Sequence, residues 1–295
     1  MIANARMYSM SPVVAALWRR LLLALIEVSG CDVELVDHVE PAPISELWGR
    51  DDMAAVFMCG LPFSRSHANV RLVAAPVPSP PDFRGVPQYW SEMVVRSRSE
   101  FRTLEDTFGG RIALTVPDSQ SGCVAALYHC MTVGERLPLY GEVIAPRVTP
   151  LGAMTAVVDG AADVAPIDSY AYCLLQKYRP DLTSQLRIVA RTIPMPIPPL
   201  VASMPTRRAP LSPLRVSGHA PVLGRLQNAF LEAHTIAAIA PLMADLLLER
   251  FARPEEQTYD ALRLNFDAAS RYWLDHPLAA TIHPAFIPSL RSFAG

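Results

Sequence analysis

Short apolar segments that resemble strands alternate with segments of helical periodicity along most of the chain. The run 53–60 (MAAVFMCG) is continuously apolar and ends in glycine, which indicates a buried parallel strand. Residues 111–117 (RIALTVP) and 163–168 (DVAPID) are also predicted to be strands, and a helical segment follows each of them. This alternation predicts an α/β fold whose sheets are mostly parallel and flanked by helices.

The two ends of the chain show the same signals. Further strands are predicted at 2–8 and 86–96, and helices are predicted for most of 220–273, including residues 234–251. The proline-punctuated tail, residues 276–295, is predicted to pack as irregular surface cover.

Two proline-rich segments divide the chain. They are 75–87 (APVPSPPDFRGVP) and 193–205 (IPMPIPPLVASMP), and the second has five prolines in thirteen residues, too many for a helix or a sheet interior. Two extended crossings around one inserted block predict two domains. Lobe 1 would contain residues 1–85 and 195–295, and lobe 2 would contain residues 86–194.

The composition excludes several classes of protein. Apolar residues make up 51% of the 295 residues and charged residues 18%, which is enough apolar material for a core and argues against disorder. The net charge of −2 argues against a nucleic-acid partner. The five cysteines are scattered with no C-x-x-C pair, so neither a disulfide framework nor a zinc site is predicted, and no cofactor is expected.

The apolar segment 11–30 (SPVVAALWRRLLLALIEVSG) could be mistaken for a signal peptide. However, Trp18–Arg20 interrupts the apolar run and no small-residue cleavage site follows it. Ser11 and Pro12 are good residues for a helix start and Gly30 for a helix end. We therefore expect an amphipathic helix that is neither an export signal nor long enough to span a membrane.

Strand-to-helix turns are where open α/β sheets bind ligands, because the carboxyl ends of the strands meet there. Four such turns in this chain are unusually polar: 8–12, 59–65, 117–122 and 165–170. The first two lie in lobe 1 and the last two in lobe 2, so they would converge on a cleft if the lobes face each other. In the turn 117–122 (PDSQSG) the hydroxyl groups can cap the following helix or bind an anion at its N-terminus, and both roles can coexist.

Three segments together resemble a known family. They are 89–122 (YWSEMVVR through PDSQSG), 149–172 (TPLGAMTAVVDGAADVAPIDSYAY) and 196–202 (PIPPLVA). Their order and spacing resemble the phosphate/phosphonate substrate-binding proteins of ABC transporters, in which a serine-rich S-x-S-G turn opens a helix. The resemblance covers roughly residues 50–235 and implies a type II periplasmic-binding fold, with two α/β lobes that close on a ligand.

The resemblance also implies candidate ligand contacts. The anion-binding turn of the family falls on Ser119, Gln120, Ser121 and Gly122. The aromatic residue of the cleft falls on Tyr89, and the acidic residue, which in the family accepts a hydrogen bond from an amine or hydroxyl group of the ligand, falls on Asp168. In the first lobe, Tyr8 and Ser9 match more loosely.

Other candidates follow from the residues themselves. Cys59 and Gly60 would allow close approach of the backbone to a ligand, and Thr149 stands beside an arginine, Arg147. Gln120 replaces the hydroxyl residue usual in phosphonate binders, and Asp118 precedes the turn. A carboxylate next to a dianion is repulsive, so either Asp118 is a cap that points away from the ligand or the ligand is not a phosphonate.

These observations favour a protein that binds a small anionic ligand without catalysis. The ligand would be a phosphonate, a phosphate or another oxyanion or carboxylate, and the protein would serve an ABC-transporter permease as a monomer or weak dimer. No catalytic residue and no metal ligand are predicted.

The alternative is a cytoplasmic enzyme on the same fold, of the chorismate dehydratase type or related to thiamine-pyrimidine synthesis. The latter enzymes rely on a lysine, and Lys177 is the one lysine of this chain. The resemblance implies the periplasm, whereas the expected lack of a signal peptide keeps the cytoplasm open.

Overall fold

The computed structural model describes residues 1–39, 42–66, 69–133, 139–204 and 213–274. Its internal contacts divide the chain into two compact units. Of the described residues, those within Met1–Gln88 and Pro196–Tyr259 form unit 1, and those within Tyr89–Met195 and 260–274 form unit 2.

Strands and helices alternate in the order that the sequence predicts over much of the chain. The strands are β1 (Ile2–Asn4), β2 (Glu34–Leu35), β3 (Met53–Phe57), β4 (Val70–Pro78), β5 (Gln88–Tyr89), β6 (Ser91–Arg96), β7 (Arg111–Ala113), β8 (Glu142–Ile144), β9 (Val164–Asp168), β10 (Leu186–Arg191), β11 (Met195–Pro196), β12 (Leu200–Ser203) and β13 (Leu248–Ala252). The helices are α1 (Pro12–Ser29), α2 (Ile44–Trp48), α3 (Gly60–Ser66), α4 (Ala125–Val133), α5 (Pro150–Val158), α6 (Ser169–Tyr178), α7 (Pro180–Thr183), α8 (Pro213–Glu232), α9 (Ala240–Asp245) and α10 (Asp260–Leu274).

Unit 1 is built on a six-stranded sheet in the order β13-β4-β12-β3-β1-β2. The predicted N-terminal helix is confirmed as α1. The Ser11 hydroxyl oxygen accepts a hydrogen bond from the Val14 N–H at 3.3 Å, Pro12 occupies the first turn, and Gly30 ends the helix at φ +59°. The apolar face of α1 is buried, including Trp18, whose indole ring packs edge-on against Phe57.

Unit 2 is built on a five-stranded sheet in the order β10-β6-β9-β7-β8. Its core includes Val95 and Ile112 from the sheet and Leu114 directly after β7, together with two cysteines from the helical side, Cys123 and Cys130. All five cysteines of the chain are free thiols. Burial raises the pKa of Cys130 to about 12, so this thiol stays protonated and acts as an apolar core group.

Both sheets are mixed, so the prediction of mostly parallel sheets is wrong in this detail. Parallel pairing joins the strands that a helix connects, as in β1–β2 and β7–β8. The strands next to the crossings run antiparallel to their neighbours. The chain leaves unit 1 along β4 and returns along β12, and these two strands pair in opposite directions. The crossings themselves contain β5 and β11, which pair with each other in a two-stranded sheet.

The C-terminal part differs from the prediction in two places. Leu248–Ala252 is strand β13 rather than the end of a helix, because it pairs antiparallel with β4 at the edge of the sheet. The predicted lobe 1 contains all of residues 195–295, but α10 belongs to unit 2, where Ala269 joins the core beside α4. The other predicted lobe boundaries stay a prediction.

Smaller differences concern the ends of elements. The predicted strand 2–8 ends at Asn4 and continues as a 3-10 turn over Arg6–Tyr8, and the predicted strand 86–96 is divided into β5 and β6. The tail at 276–295 lies outside the described residues. None of the helices in the described ranges is both long and apolar enough to cross a membrane.

Candidate functional site

Three helices begin at one edge of the unit 2 sheet. Strand β7 lies between β8 and β9 and is parallel to both, so the carboxyl ends of the three strands are neighbours. A helical segment follows each strand: α5 after β8, the turn leading into α4 after β7, and α6 after β9. We call this the carboxyl edge of unit 2. Since helix N-termini carry partial positive charge and unpaired N–H groups, this edge favours an anion.

The predicted anion-binding turn forms the central part of this edge. Gln120–Val124 is one turn of π-helix, in which the Val124 N–H donates to the Ser119 carbonyl oxygen at 3.0 Å. The Ser119 hydroxyl oxygen caps the turn by accepting from the Gly122 N–H at 3.1 Å. The N-cap of the turn is therefore Ser119. Single π turns inside helices occur often at functional sites.

Close packing against Thr115 requires glycine at position 122. The Thr115 N–H donates to the Gly122 carbonyl oxygen at 3.0 Å. A Cβ atom on residue 122 would lie 2.0 Å from the Thr115 Oγ1 atom and 2.7 Å from its Cγ2 atom. Gln120 is buried at 1% exposure, whereas Ser119 and Ser121 are partly exposed. The two serines are thus the side chains of this turn that a ligand can reach.

Ser91 holds this turn and was missed by the sequence prediction. Its hydroxyl group is fully buried and donates to the Ser121 carbonyl oxygen at 2.7 Å. Its N–H donates to the Thr192 hydroxyl oxygen at 2.9 Å, and the residue pairs with Asp168 across β6 and β9. Ser91 therefore links the turn, the β9 end and the segment that precedes the return crossing. The one signal for Ser91 in the sequence is that it directly follows the aromatic residues Tyr89 and Trp90.

Asp168 ends β9 and caps α6. One carboxylate oxygen accepts from the Ala171 N–H at 2.9 Å, and the residue is 5% exposed. The next residue, Ser169, accepts a hydrogen bond from the Trp90 N–H through its hydroxyl oxygen at 3.1 Å. Asp168 is therefore the N-cap of α6, and its carboxylate lies at the same edge as the Ser119 turn.

The aromatic pair beside this edge is buried. Tyr89 is 1% exposed and Trp90 is 6% exposed. The Trp90 indole N–H donates to the buried Glu92 carboxylate at 2.9 Å, and the same carboxylate accepts from the Arg191 Nε at 3.0 Å. The Arg191 guanidinium also lies over the Trp90 ring, 5.4 Å from its centre. These contacts fix Trp90 within unit 2.

Thr149 caps the third helix of the edge. Its hydroxyl oxygen accepts from the Gly152 N–H at 3.1 Å. The loop before it is tied to the end of β7, because the Arg147 N–H donates to the Leu114 carbonyl oxygen at 3.0 Å. Thr149 thus stands one strand away from the Ser119 turn.

The remaining candidates belong to unit 1 and lie after its neighbouring parallel strands β1 and β3. Tyr8 is 1% exposed and packs against Phe57 with ring centres 5.1 Å apart, so its ring is part of the core. The Ser9 hydroxyl donates to the Ala5 carbonyl oxygen at 2.9 Å. The Cys59 carbonyl oxygen accepts from the Phe63 N–H at 3.0 Å, and Gly60 begins α3. Among the described residues, no cluster of histidine, cysteine or carboxylate side chains could hold a metal ion.

Comparison with known proteins assigns the family. A sequence model of the phosphonate periplasmic substrate-binding proteins of ABC transporters matches residues 8–259. The chain belongs to this family. The predicted resemblance is therefore confirmed, and so is the predicted function at this level: phosphonate periplasmic substrate-binding proteins bind a small molecule for a transporter without catalysing a reaction.

Solved structures show that the fold is shared. The binding-protein component of an ABC phosphonate transporter from Pseudomonas aeruginosa has a TM-score of 0.72 at 17% identity, over 100% of this chain and 95% of that chain. PhnD1 from Prochlorococcus marinus in complex with methylphosphonate has a TM-score of 0.73 at 15% identity, over 94% and 98%.

A more distant likeness is to the alkanesulfonate-binding protein SsuA from Xanthomonas axonopodis pv. citri bound to MOPS, with a TM-score of 0.54 at 16% identity, over 96% and 97%. These likenesses confirm the predicted type II periplasmic-binding fold class. A search of curated proteins finds no match.

Proposed function

We propose that this phosphonate periplasmic substrate-binding protein binds a phosphonate at the carboxyl edge of unit 2. The observation that carries the proposal is the meeting of three helix starts on neighbouring parallel strands, with the Ser119-capped turn in the middle. The anion would accept hydrogen bonds from N–H groups of that turn and from the Ser119 and Ser121 hydroxyls. Methylphosphonate in the Prochlorococcus marinus structure is a ligand of the same chemistry.

The charges at the edge are compatible with this ligand. The Asp168 carboxylate is already compensated by the Ala171 N–H and by the N-terminus of α6, which it caps. Asp118 is partly exposed, so solvent and salt screen its charge. We expect the helix starts and the hydroxyls to outweigh the repulsion from these carboxylates.

The proposed site extends beyond the turn. In unit 2 it includes Thr149 together with Tyr89 and Asp168, which are buried in this structure and would have to become accessible to the ligand. Asp168 would accept from a hydroxyl or amine group of the ligand. In unit 1 the proposed contacts are Tyr8, Ser9, Cys59 and Gly60, where backbone groups and the Ser9 hydroxyl are the available partners because the Tyr8 ring is buried.

Membership of the family supports a proposal for the partner and the compartment. We propose that the ligand-bound monomer delivers its ligand to an ABC-transporter permease and that it does so in the periplasm. The alternative, a cytoplasmic enzyme, would convert its ligand into a product. Whether the ligand is recovered unchanged therefore distinguishes the two functions.

Calorimetric titration of the purified protein with methylphosphonate, phosphate, methanesulfonate and acetate tests the proposal. We expect methylphosphonate to bind with a micromolar or lower Kd and acetate to bind at least about a hundredfold more weakly, a difference of about 2.8 kcal/mol. Mass spectrometry of the recovered ligand should show it unchanged. Lack of binding by all three oxyanions of phosphorus and sulfur, or conversion of the ligand, would contradict the proposal.

Ser91→Ala is expected to weaken methylphosphonate binding about five- to tenfold, because the Ser121 carbonyl oxygen loses its buried donor and the turn can move. Titration of this variant and of Ser91→Cys, which keeps a weak donor and should give an intermediate Kd, measures the effect. The control variant is Ser99→Ala. In the wild-type protein the exposed Ser99 hydroxyl donates to the Arg96 carbonyl oxygen. A lower melting temperature with an unchanged Kd would show that Ser91 supports only the fold.

A further inference from the structure

Asp118 places a negative charge beside the Ser119 turn. It directly precedes the turn and is partly exposed. Burial and the charge of Asp118 both raise the pKa of the Cys123 thiol, which lies within the turn of π-helix Gln120–Val124. The field of this carboxylate therefore reaches the residues of the turn.

Asp168 brings a second carboxylate to the same place. It lies directly opposite Ser91 across β6 and β9, and the Ser91 hydroxyl donates to the Ser121 carbonyl oxygen at 2.7 Å. Side chains of directly opposite residues stand on the same face of a sheet, with their Cβ atoms about 5 Å apart. The Asp168 side chain is therefore a neighbour of the hydroxyl that holds the turn.

The hydrogen-bond donors of the turn carry no charge. They are its backbone N–H groups and the partly exposed hydroxyls of Ser119 and Ser121. The Thr115 hydroxyl is buried against Gly122, and no described residue is hydrogen-bonded to it. Since buried hydroxyls normally have a partner, a polar group is expected at the turn. All of these donors can bind an anion, but none of them neutralises its charge.

The elements that pack against the turn add no positive charge to it. Strand β9 and helix α4 contain neither arginine nor lysine. The charged side chains of α10 in the described range are Asp260, Asp267 and Arg263, and the arginine is exposed. In β6, Glu92 is paired with Arg191.

Two further groups could change the charge near the turn. The Arg147 side chain lines a cavity along α5 whose wall includes Asp159 and none of residues 119–122. Burial lowers the pKa of His129 in α4 below its ordinary value of 6.5, so this side chain is neutral at neutral pH. Within the part of the chain that the structure describes, the turn thus has two carboxylates beside it and no cationic side chain packed against it.

The positive charge of the site comes from the helix starts. Each helix N-terminus is equivalent to about half an elementary charge, so the three starts at the carboxyl edge carry less charge than two carboxylates. Hydrogen bonds to uncharged donors can offset the repulsion that one negative charge on a ligand meets. A second negative charge would meet the same carboxylates with nothing left to compensate it.

We propose that the Ser119 turn selects singly charged oxyanions, namely sulfonates and the protonated monoanion of a phosphonate, against phosphonate dianions. This inference rests on the proposed function, because it concerns the ligand of the same turn. Like phosphate monoesters, alkylphosphonates lose their second proton near neutral pH, so both forms are present in solution. The proton of the monoanion can be donated to one of the two carboxylates, which converts a repulsive contact into a hydrogen bond.

Calorimetric titrations with methylphosphonate at about pH 6 and about pH 9 test the inference, because aspartate and arginine side chains do not ordinarily titrate in this range. We expect the Kd to be about tenfold or more higher at the upper pH, where the monoanion is scarce, and binding there to take up about one proton per ligand. Titration in buffers of different ionisation enthalpy measures that uptake. A Kd that does not rise, or binding at the upper pH without proton uptake, would overturn the inference while the proposed function stands. Failure of methylphosphonate to bind at either pH refutes the proposed function itself.

Methanesulfonate is the matched ligand, because it has a similar shape and a single negative charge at every pH of the test. At the lower pH its Kd should lie within about tenfold of that of methylphosphonate, and it should stay the same at the upper pH. His129→Gln should leave the pH dependence of methylphosphonate binding unchanged. Equal weakening of both ligands, or loss of the pH dependence in His129→Gln, would place the titrating group in the protein. Those results, or no binding of methanesulfonate, would overturn the inference.

Asp118→Asn combined with Asp168→Asn separates the two charges from the rest of the site. Asparagine caps helices as well as aspartate does, so the start of α6 is kept. The ratio of the methylphosphonate Kd at the upper pH to that at the lower pH should fall about fivefold or more in this variant. Asp118→Asn alone changes a partly exposed side chain and should give part of that fall even if the double variant does not fold.

Asp181→Asn is the matched control for the removal of a carboxylate from unit 2. Its side chain is exposed and forms an ion pair with Arg179. The control should keep the wild-type ratio of the two Kd values. A wild-type ratio in Asp118→Asn and in the double variant would show that these carboxylates do not select the charge of the ligand, which would overturn the inference.

Discussion

Gly122→Ala is expected to destabilise the protein by about 3 kcal/mol and to abolish ligand binding at the Ser119 turn. The new Cβ would lie 2.0 Å from the Thr115 Oγ1 atom, far inside contact distance, and the wall that it meets is a buried, branched side chain. Either Thr115 or the turn must move, and the hydrogen bond between the Thr115 N–H and the Gly122 carbonyl oxygen ties the two together. Urea denaturation followed by circular dichroism measures the loss.

Two further variants show whether the clash is the cause. Thr115→Ala combined with Gly122→Ala removes the atoms at 2.0 and 2.7 Å and leaves the Thr115 Cβ at 2.9 Å, so part of the stability should return. Gly224→Ala in α8 is the matched control, because nothing lies within 4 Å of its new Cβ. Gly122→Ala with wild-type stability would mean that the packing between the turn and β7 is looser than the structure indicates.

Ser119→Ala combined with Ser121→Ala is expected to weaken methylphosphonate binding more than about a hundredfold. Hydrogen bonds to a charged group contribute roughly 1.5–3 kcal/mol each, so the loss of two hydroxyls is larger than the effect of any single variant above. Loss of the Ser119 cap should lower the unfolding free energy by only about 1 kcal/mol. Calorimetry and urea denaturation on the same preparation separate the two effects.

The expected pattern for this pair is a large change in Kd with a small change in stability. Ser99→Ala serves again as the control for the removal of a serine hydroxyl in unit 2. An unchanged Kd in the double variant would show that neither hydroxyl binds the ligand, and it would leave Ser119 with its capping role alone.

The fold could be predicted from the sequence where local pattern and tertiary contacts agree. Strands β7 and β9, for example, are apolar runs that lead into capped helical segments, and both signals are local. Strand β13 could not be identified, because its pairing with β4 is a long-range contact that overrides a helical pattern. The position of α10 was missed for a related reason, since an amphipathic helix shows which face is buried but not which sheet covers it.

The residues of the candidate site also fall into two groups, those that the sequence could predict and those that it could not. The Ser119 turn and the Asp168 cap could be predicted, because hydroxyls, a carboxylate and a glycine at a strand end are local signals. Ser91 could not be identified, because it acts on a backbone carbonyl group thirty positions away and its place after two aromatic residues does not reveal that contact.

The most direct test of the proposed site is a crystal structure of the protein with methylphosphonate bound. We expect the phosphonate oxygens to lie about 2.7–3.2 Å from hydrogen-bond donors of the Ser119 turn, namely the hydroxyls of Ser119 and Ser121 and backbone N–H groups at its start. Ligand density that makes no contact with residues 119–122 would contradict the assignment of this turn as the anion site.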